Sequence, residues 1–407
     1  MLYGILQFTS KSRVQGTGVP FIEYKTNEMY TVHTKKEYHK DVWAKIDPIS
    51  SELIEIIGPT CEYHAELGAL RGVYGLYYKY PSHPVLPYQP KTYTDRAYTV
   101  DQITTLDRDD AISVKKEVKL EGIFTIVGIH ITDISKRLSD EWVSWALTIG
   151  SSAYWENGTK PIFPPSLSHD ILSLTKDKIY PCLSLFLTYD NNYELVKKEF
   201  KETDIFITDN LTYEQFSDPV LSIISGKTEA TEIVEWCMIQ YNLYIAANLS
   251  DVLLRVQDEN EPARYDYTGT HFVMDRLYAH ATSPIRRFAD FYNQCIYHNR
   301  DVILKEKQLV DLNKRMDEVR TFHQKEIVMR LAYEFKIPKV VEALVETNEE
   351  GRSICLRIDG KRVWIPLCDT YYEEEISNKL EEGESYQVEC FGIHKNGKAT
   401  LRIRLIE

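Results

Sequence analysis

Four aspartates fall within ten residues of this 407-residue chain: Asp101, Asp107, Asp109 and Asp110, in the run TVDQITTLDRDDAISV. Carboxylates this close raise one another's pKa and strain the fold unless a cation compensates them. For an all-oxygen donor set the fitting ion is Mg²⁺, with Mn²⁺ as the alternative. An acidic cluster around Mg²⁺ is a common device for cleaving phosphodiesters. Two plainer readings compete: a solvated acidic loop and a calcium loop. A calcium loop requires a glycine at its sharp turn and a late glutamate, whereas Asp110 runs into the apolar AISV. The solvated loop stays open on spacing alone.

A second group that could do chemistry lies in YAHATSPIRRFADF, residues 278–291. Ser283 and Pro284 read as the cap and first position of a helix. That places Arg286 and Arg287 in its first turn, where the helix dipole disfavours cations unless an anion such as phosphate is also there. The plainer reading is a pair of surface arginines bound to nearby acids.

Together these residues carry a resemblance. The Asp, +6, +8, +9 spacing is similar to the acidic motif of the ribonuclease II (RNB) family of exoribonucleases. TSPIRRFAD resembles that family's TSPIRRYAD, and SSAYWENGTKPIFPPSLSHDILSL resembles its stretch of tyrosine, proline turn and LS…SL pair. EWCMIQYN, residues 235–242, resembles its Glu-Glu-x-Met-x-x-x-Asn helix. Four segments in this order span about 200 residues. The resemblance implies Mg²⁺-dependent, stepwise 3′→5′ hydrolysis of single-stranded RNA to nucleoside 5′-monophosphates. Asp101, Asp107, Asp109 and Asp110 would hold metal, and Arg286 would stabilise charge on the phosphate. Ser283 and Arg287 would be secondary phosphate contacts, Tyr154 would pack on the terminal nucleotide, and Glu235 would reach the RNA. An ordinary core tyrosine and a structural glutamate are the plainer alternatives. Two departures stand out. Arg108 sits between the second and third aspartates, where the family has an apolar residue. Trp236 replaces the second glutamate of the helix. A catalytically inactive RNA-binding adaptor and an enzyme for another phosphodiester, DNA included, are the rival readings.

The elements that must position these groups give an α+β fold. AYTV, AISV and GIFTIVGIHITDIS read as strands flanking the acidic loop, and TEIVEWCMIQYNLYIAANLSDVLLRV reads as a long buried helix. Leu312, Met316, Val319 and Phe322 share the helical spacing of a packing helix. Residues 1–80 are strand-rich and fit an OB-type, cold-shock-like barrel, whose Phe8, Phe21, Tyr24 and Tyr30 serve either as stacking faces or as core. Prolines 81, 84, 87 and 90 mark an extended linker over 81–97. A mixed α/β catalytic domain of RNB type follows over 98–335. Residues 336–407 return to strands, with Asp359-Gly360 and Asn396-Gly397 as hairpin turns and a helical piece at 373–383. They read as a second OB-type barrel, which resembles the C-terminal RNA-binding barrel of the ribonuclease II family.

The net charge of −13 opposes general electrostatic binding to nucleic acid. Most of the excess falls between residues 81 and 335, around the acidic run. Twenty-eight tyrosines supply stacking faces instead. Seven scattered cysteines without a Cys-x-x-Cys pair indicate neither zinc nor a disulfide framework. With no signal peptide and no apolar run long enough to span a bilayer, the expectation is an intracellular, cytoplasmic monomer with no membrane partner. Association with an RNA-degradation complex is conceivable, but no residue run demands it.

Overall fold

A computed structural model describes residues 1–10, 18–90, 92–93, 95–120, 122–259, 261–348, 351–358, 361–366, 381 and 383–406. The chain divides into two compact units. One comprises Met1–Lys79, Ala153–Thr159 and Asp317–Glu407; the other comprises Tyr80–Ser152 and Lys160–Met316.

The chain opens with β1 (Leu2–Leu6), β2 (Gly18–Glu23), β3 (Met29–His33), β4 (Val42–Asp47) and β5 (Glu52–Pro59). These close into a barrel in the order β1-β2-β3-β5-β4. β3 and β5 run parallel and the other neighbours antiparallel. That is the ring order of an OB barrel. Period-two alternation turns Leu6, Phe8, Val19, Phe21, Val32, Val42, Ala44 and Ile46 into one core. Phe8, Phe21 and Tyr24 are buried, so packing, not base stacking, accounts for them. Helix α1 (Tyr63–Val73) follows and buries Ala65 through Leu70.

The second unit is built on β6 (Asp95–Asp101), β7 (Asp110–Lys119) and β8 (Gly122–Thr132). After α2 (Asp140–Ile149) come the short β9 (Ala153–Trp155) and β10 (Gly158–Lys160), then β11 (Ile179–Tyr189) and β12 (Leu195–Thr212). β11-β12-β6-β7-β8 form a second closed barrel, with β12 and β6 parallel. Next in the chain are α3 (Pro219–Ser225), α4 (Ala230–Asn248), β13 (Leu254–Val256), β14 (Arg264–Asp266), α5 (Phe288–Tyr297) and α6 (Glu306–Glu334). α4 lays Ile233, Val234, Cys237, Tyr241 and Ile245 against Val100, Ile112, Val127, Ile129 and Ile131 of the barrel. Inside the barrel lies a polar chain. His130 is fully buried, with Nε2 2.8 Å from Ser113 Oγ and Nδ1 2.7 Å from Ser184 Oγ, which in turn meets Thr203.

The proline-rich stretch is not a free linker. Val85 bridges Leu138, the Leu86 N–H donates to the Arg137 carbonyl at 2.7 Å, and Trp142 Nε1 donates to the Pro84 carbonyl at 3.1 Å. Tyr80 donates to the Pro161 carbonyl and Tyr88 to Asp204. Proline leaves its carbonyl free to accept, so an extended strap can dock through carbonyls and aromatics without forming a strand. The second unit accordingly begins at Tyr80, and its first strand at Asp95, rather than at 98.

The last strands are β15 (Lys339–Asn348), β16 (Gly351–Ile358), β17 (Lys361–Pro366), β18 (Ser385–Lys395) and β19 (Lys398–Leu405). Their order is β17-β16-β15-β18-β19, an antiparallel sheet. It repeats the ring order of the first barrel, opened between the third and fifth strands. Asn396 and Gly397 both have positive φ, as the predicted tight hairpin requires. Asp359-Gly360 and nearly all of the helical piece at 373–383 lie outside the described residues.

This sheet and the first barrel are not separate domains, as the sequence suggested, but parts of one unit. Ile5, Trp43, Leu70 and Tyr74 share a core with Phe322, Phe335, Val388 and Leu401. Buried Glu66 on α1 accepts the Ala399 N–H at 2.9 Å and the Tyr333 hydroxyl at 2.9 Å. Burial pushes its carboxyl up to about 7. The packing face expected on α6 is divided as well: Leu312 and Met316 belong to the second unit, Val319 and Phe322 to the first. Among the described residues no helix is long and apolar enough to cross a membrane.

Candidate active site

The acidic loop hangs between two strands of the second barrel. Asp101 ends β6 and Asp110 begins β7. Strand pairing of β7 with β8 sets Asp110 opposite Ile131, and the Thr132 N–H donates to the Asp109 carbonyl at 2.9 Å. The far side of the loop is tied by Ser173. The Arg108 N–H donates to Ser173 Oγ at 3.0 Å, and that hydroxyl donates to the Leu106 carbonyl at 2.8 Å. The Leu174 N–H then donates to the Arg108 carbonyl at 3.0 Å. These bonds run to main chain, so they fix the loop irrespective of the aspartates' charge.

The arginine segment reaches the same place from 176 residues away in sequence. Asp109, only 3% exposed, accepts the Ile285 N–H at 2.7 Å through Oδ1, while its Oδ2 lies 3.4 Å from Arg286 Nε. Arg286 is half-exposed. Arg108 Nε stands 3.9 Å from Asp101 Oδ2, so the arginine that departs from the family pattern does lie beside a carboxylate.

Burial dominates the electrostatics. It raises the Asp101 carboxyl, with Arg108 and Arg286 opposing and Asp107 adding to the rise. It raises Asp109 well above the ordinary range, opposed by Arg286 and the Ile285 N–H and reinforced by Asp107 and Asp110. It raises Asp110 to about 7, with the Asp101 charge contributing and Arg286 opposing. The Tyr213 hydroxyl is raised by burial, with the charges of Asp110 and Asp101 adding to the rise and Arg286 opposing it. Carboxylates withdrawn from water, whose charges oppose one another, favour a cation. Among the described residues, however, no three His, Cys, Asp or Glu groups converge into a ready-made metal cage. Mg²⁺ typically takes one or two carboxylates and completes its shell with water and substrate phosphate. The donor set fits that mode.

The helix at the arginine segment starts later than the sequence suggested. Residues 283–286 form a turn, closed by the Arg287 N–H donating to the Ser283 carbonyl at 3.0 Å. Arg287 then runs extended: the Ser152 N–H donates to the Arg286 carbonyl and Ser151 bridges Arg287. α5 begins at Phe288, with Arg287 before it at φ −133°. Short-range pairing with residues 151–152 overrides the Ser-Pro start signal, and neither arginine occupies a first helical turn. Ser283 is buried and holds the loop: its N–H donates to Asp290 Oδ1 at 2.8 Å, and its Oγ accepts from Arg286 Nη2 at 2.9 Å. Arg287 pairs with Asp290 at 2.9 Å. Burial works against its charge, but Asp290, Tyr265 and Asp109 together hold the guanidinium above its ordinary value.

Glu235 is exposed on α4, while Asn242 of the same helix is buried. Asn242 anchors the arginine segment by accepting the Ala281 N–H at 2.9 Å and donating to the Tyr278 hydroxyl at 2.9 Å. Tyr154 lies on β9 in the first unit, 36% exposed, with its N–H donating to His323 Nε2 at 3.0 Å. Thr99, Ser173, Asn210 and Asp290 support the site and were not singled out from sequence. Ser173 and Asp290 lie inside stretches that carried the resemblance. Thr99 and Asn210, joined at 3.0 Å between neighbouring parallel strands, left no sequence signal.

Comparison with known proteins places this geometry. Residues 91–233 match the family model described as RNB domain. Ribonuclease R 2 of Lactococcus lactis subsp. lactis (strain IL1403) is 24% identical over 195 residues, which is 47% of this chain and 28% of that protein. The match therefore spans under a third of that curated relative. Mycoplasma genitalium RNase R, solved in complex with ribose methylated single-stranded RNA, aligns over 100% of this chain and 90% of its own, at TM-score 0.68 and 13% identity. Yeast Ssd1, described as a pseudonuclease, aligns over 100% and 83% at TM-score 0.70 and 12% identity. Identities this low speak for a shared α+β fold.

Proposed function

Starting from a chain whose residues 91–233 are an RNB domain, we propose that it is a Mg²⁺-dependent hydrolase that removes nucleotides stepwise from the 3′ end of single-stranded RNA and releases nucleoside 5′-monophosphates. One observation carries this reading: the Arg286 guanidinium lies 3.4 Å from buried Asp109, so a cation and carboxylates far apart in sequence face the same spot. A phosphate seated there meets both.

One or two of Asp101, Asp107, Asp109 and Asp110 would hold the metal directly, with water and the substrate phosphate completing its shell. A bound Mg²⁺ supplies Lewis-acid charge at the scissile phosphate. The residues of the chain do the rest. The Ile285 N–H fixes the Asp109 carboxylate, so its free oxygen keeps one direction. Arg286, half-exposed, turns from Asp109 to the extra negative charge on the phosphate in the transition state. Tyr154 offers a half-exposed ring for stacking on a base.

One observation favours a second reading. Arg108 sets a positive charge 3.9 Å from Asp101, which competes with a metal ion and suits an RNA-binding protein without turnover. Yeast Ssd1, named a pseudonuclease, is a structural neighbour. Incubation with 5′-labelled and 3′-labelled RNA and Mg²⁺ separates the two. Early release of the 3′ label as mononucleotide, with gradual shortening of the 5′-labelled species, supports the enzyme. RNA binding without degradation, with Mg²⁺ or Mn²⁺ and across pH, supports the adaptor.

A further inference from the structure

The arginine segment is anchored by a group to which the proposed reaction gives no role. Asp290, in the first turn of α5, has no exposed surface. Its Oδ1 accepts both the Ser283 N–H at 2.8 Å and Arg287 Nη2 at 2.9 Å. Its Oδ2 is buried with no hydrogen-bond partner, and so is Arg287 Nε. From Ser283 the connection continues outward: Ser283 Oγ accepts from Arg286 Nη2 at 2.9 Å, and Arg286 Nε faces Asp109 at 3.4 Å. One buried carboxylate is thus linked in two steps to the exposed guanidinium.

Stability does not explain this arrangement. A buried ion pair with unsatisfied polar atoms on both partners is an expensive way to fill a core, and apolar packing does it as well or better. Position does explain it. A group that stabilises a transition state must be held within roughly half an ångström of its productive place. Arg286 is a long, half-exposed side chain on a turn, with no helix or strand of its own to stiffen it.

We propose that Asp290 is a positioning residue for Arg286. It fixes the turn at residues 283–287 through the Ser283 N–H and Arg287, and Ser283 Oγ then aims the guanidinium. The geometric part stands independently; its effect on turnover rests on the nuclease reading above.

The test uses the full chain with ¹⁵N-labelled arginine. The Arg286 Nε–H resonance is assigned by its loss in Arg286→Ala. In Asp290→Ala, with circular dichroism unchanged, that resonance should move and broaden; a resonance left in place overturns the proposal. Steady-state RNA degradation gives the second readout. Asp290→Ala should lower kcat about tenfold or more with KM within about threefold, and the double variant with Arg286→Ala should be no slower than Arg286→Ala alone. If the two losses multiply in full, Asp290 acts independently and the proposal fails. Should Asp290→Ala not fold, Ser283→Ala removes only the hydroxyl that aims Arg286 and must show the same non-additivity. A wild-type chain that degrades no RNA, but whose resonance still moves in Asp290→Ala, refutes the nuclease reading and leaves the positioning role intact.

Discussion

His130 should make the central barrel sensitive to acid. Burial drives its imidazole from 6.5 down to about 3, so the ring is neutral in the folded state at any physiological pH. Unfolding exposes it to water and restores its ordinary value. Below 6.5 the unfolded chain therefore binds a proton that the folded chain refuses, and stability falls with pH until the folded group titrates near 3. At about pH 5.5 the loss relative to neutral pH is about 1.4 kcal/mol, and the ceiling near pH 3 is about 5 kcal/mol. Raised carboxyls such as Glu66 and Asp110 shift stability the opposite way, so wild type alone does not isolate the effect. The comparison with His130→Gln does, because every other group cancels in the difference. Gln can still bond Ser113 or Ser184 but has no proton to gain. Native-state hydrogen exchange on peptides from β8 and β11, corrected for intrinsic rates, reads the local free energy. Between about pH 7.5 and 5.5, wild type should lose roughly tenfold more protection than the variant. Parallel pH profiles in the two proteins would refute the reasoning, because they would mean that His130 takes up its proton without leaving the barrel.

Four further outcomes are expected. Asp109→Asn should abolish RNA turnover in a gel assay yet leave RNA affinity within about threefold by filter binding; equal loss of both makes the residue structural. Arg108→Leu should lower the Mg²⁺ concentration for half-maximal activity about two- to fivefold, a modest gain because the pair with Asp101 is partly solvent-screened; an unchanged metal titration removes Arg108 as a competitor. Tyr154→Ala should raise KM for short RNAs by roughly tenfold, the loss of about 1–2 kcal/mol of base stacking, with a smaller change in kcat; a pure kcat effect contradicts a stacking role. Gly150 has φ +75°, and a Cβ there would lie 3.1 Å from Arg315 Cγ. Its carbonyl accepts the Phe288 N–H that starts α5, so Gly150→Ala should destabilise the second unit by about 1–3 kcal/mol in thermal melts; an unshifted melt would show that the loop relaxes freely.

Groups that do chemistry are more legible in this sequence than the elements that carry them. The acidic run and the arginine segment were readable because clustered like charges require compensation wherever they occur, and the structure brings Asp109 and Arg286 together. Strand character in β7, β8 and the Asn396-Gly397 turn follows from local residue preference. The missed features are those decided by distant partners. The helix at Ser283-Pro284 fails to start there because Ser151 and Ser152 pair with residues 286–287. The proline stretch looks like a spacer until Arg137 and Trp142 bond to it. The bonds that Asp290 accepts from the Ser283 N–H and from Arg287 are of the same kind. Stacking on Phe8 and Phe21 was weighed against packing, and ring closure of the barrel puts both inside. No local pattern announces that α1 and β19 share a core.

The unit made of Met1–Lys79, Ala153–Thr159 and Asp317–Glu407 has a consequence for how the protein is made. Glu66 leaves the ribosome 333 residues before Ala399, the main-chain group it bonds. Ile5 and Trp43 of the first barrel cover part of α1 from the start, but the part that meets Val388 and Leu401 waits for those later strands. A nascent chain in this condition is a natural client for a holdase, and a chain stopped before Ala399 would leave Glu66 buried without its main-chain partner.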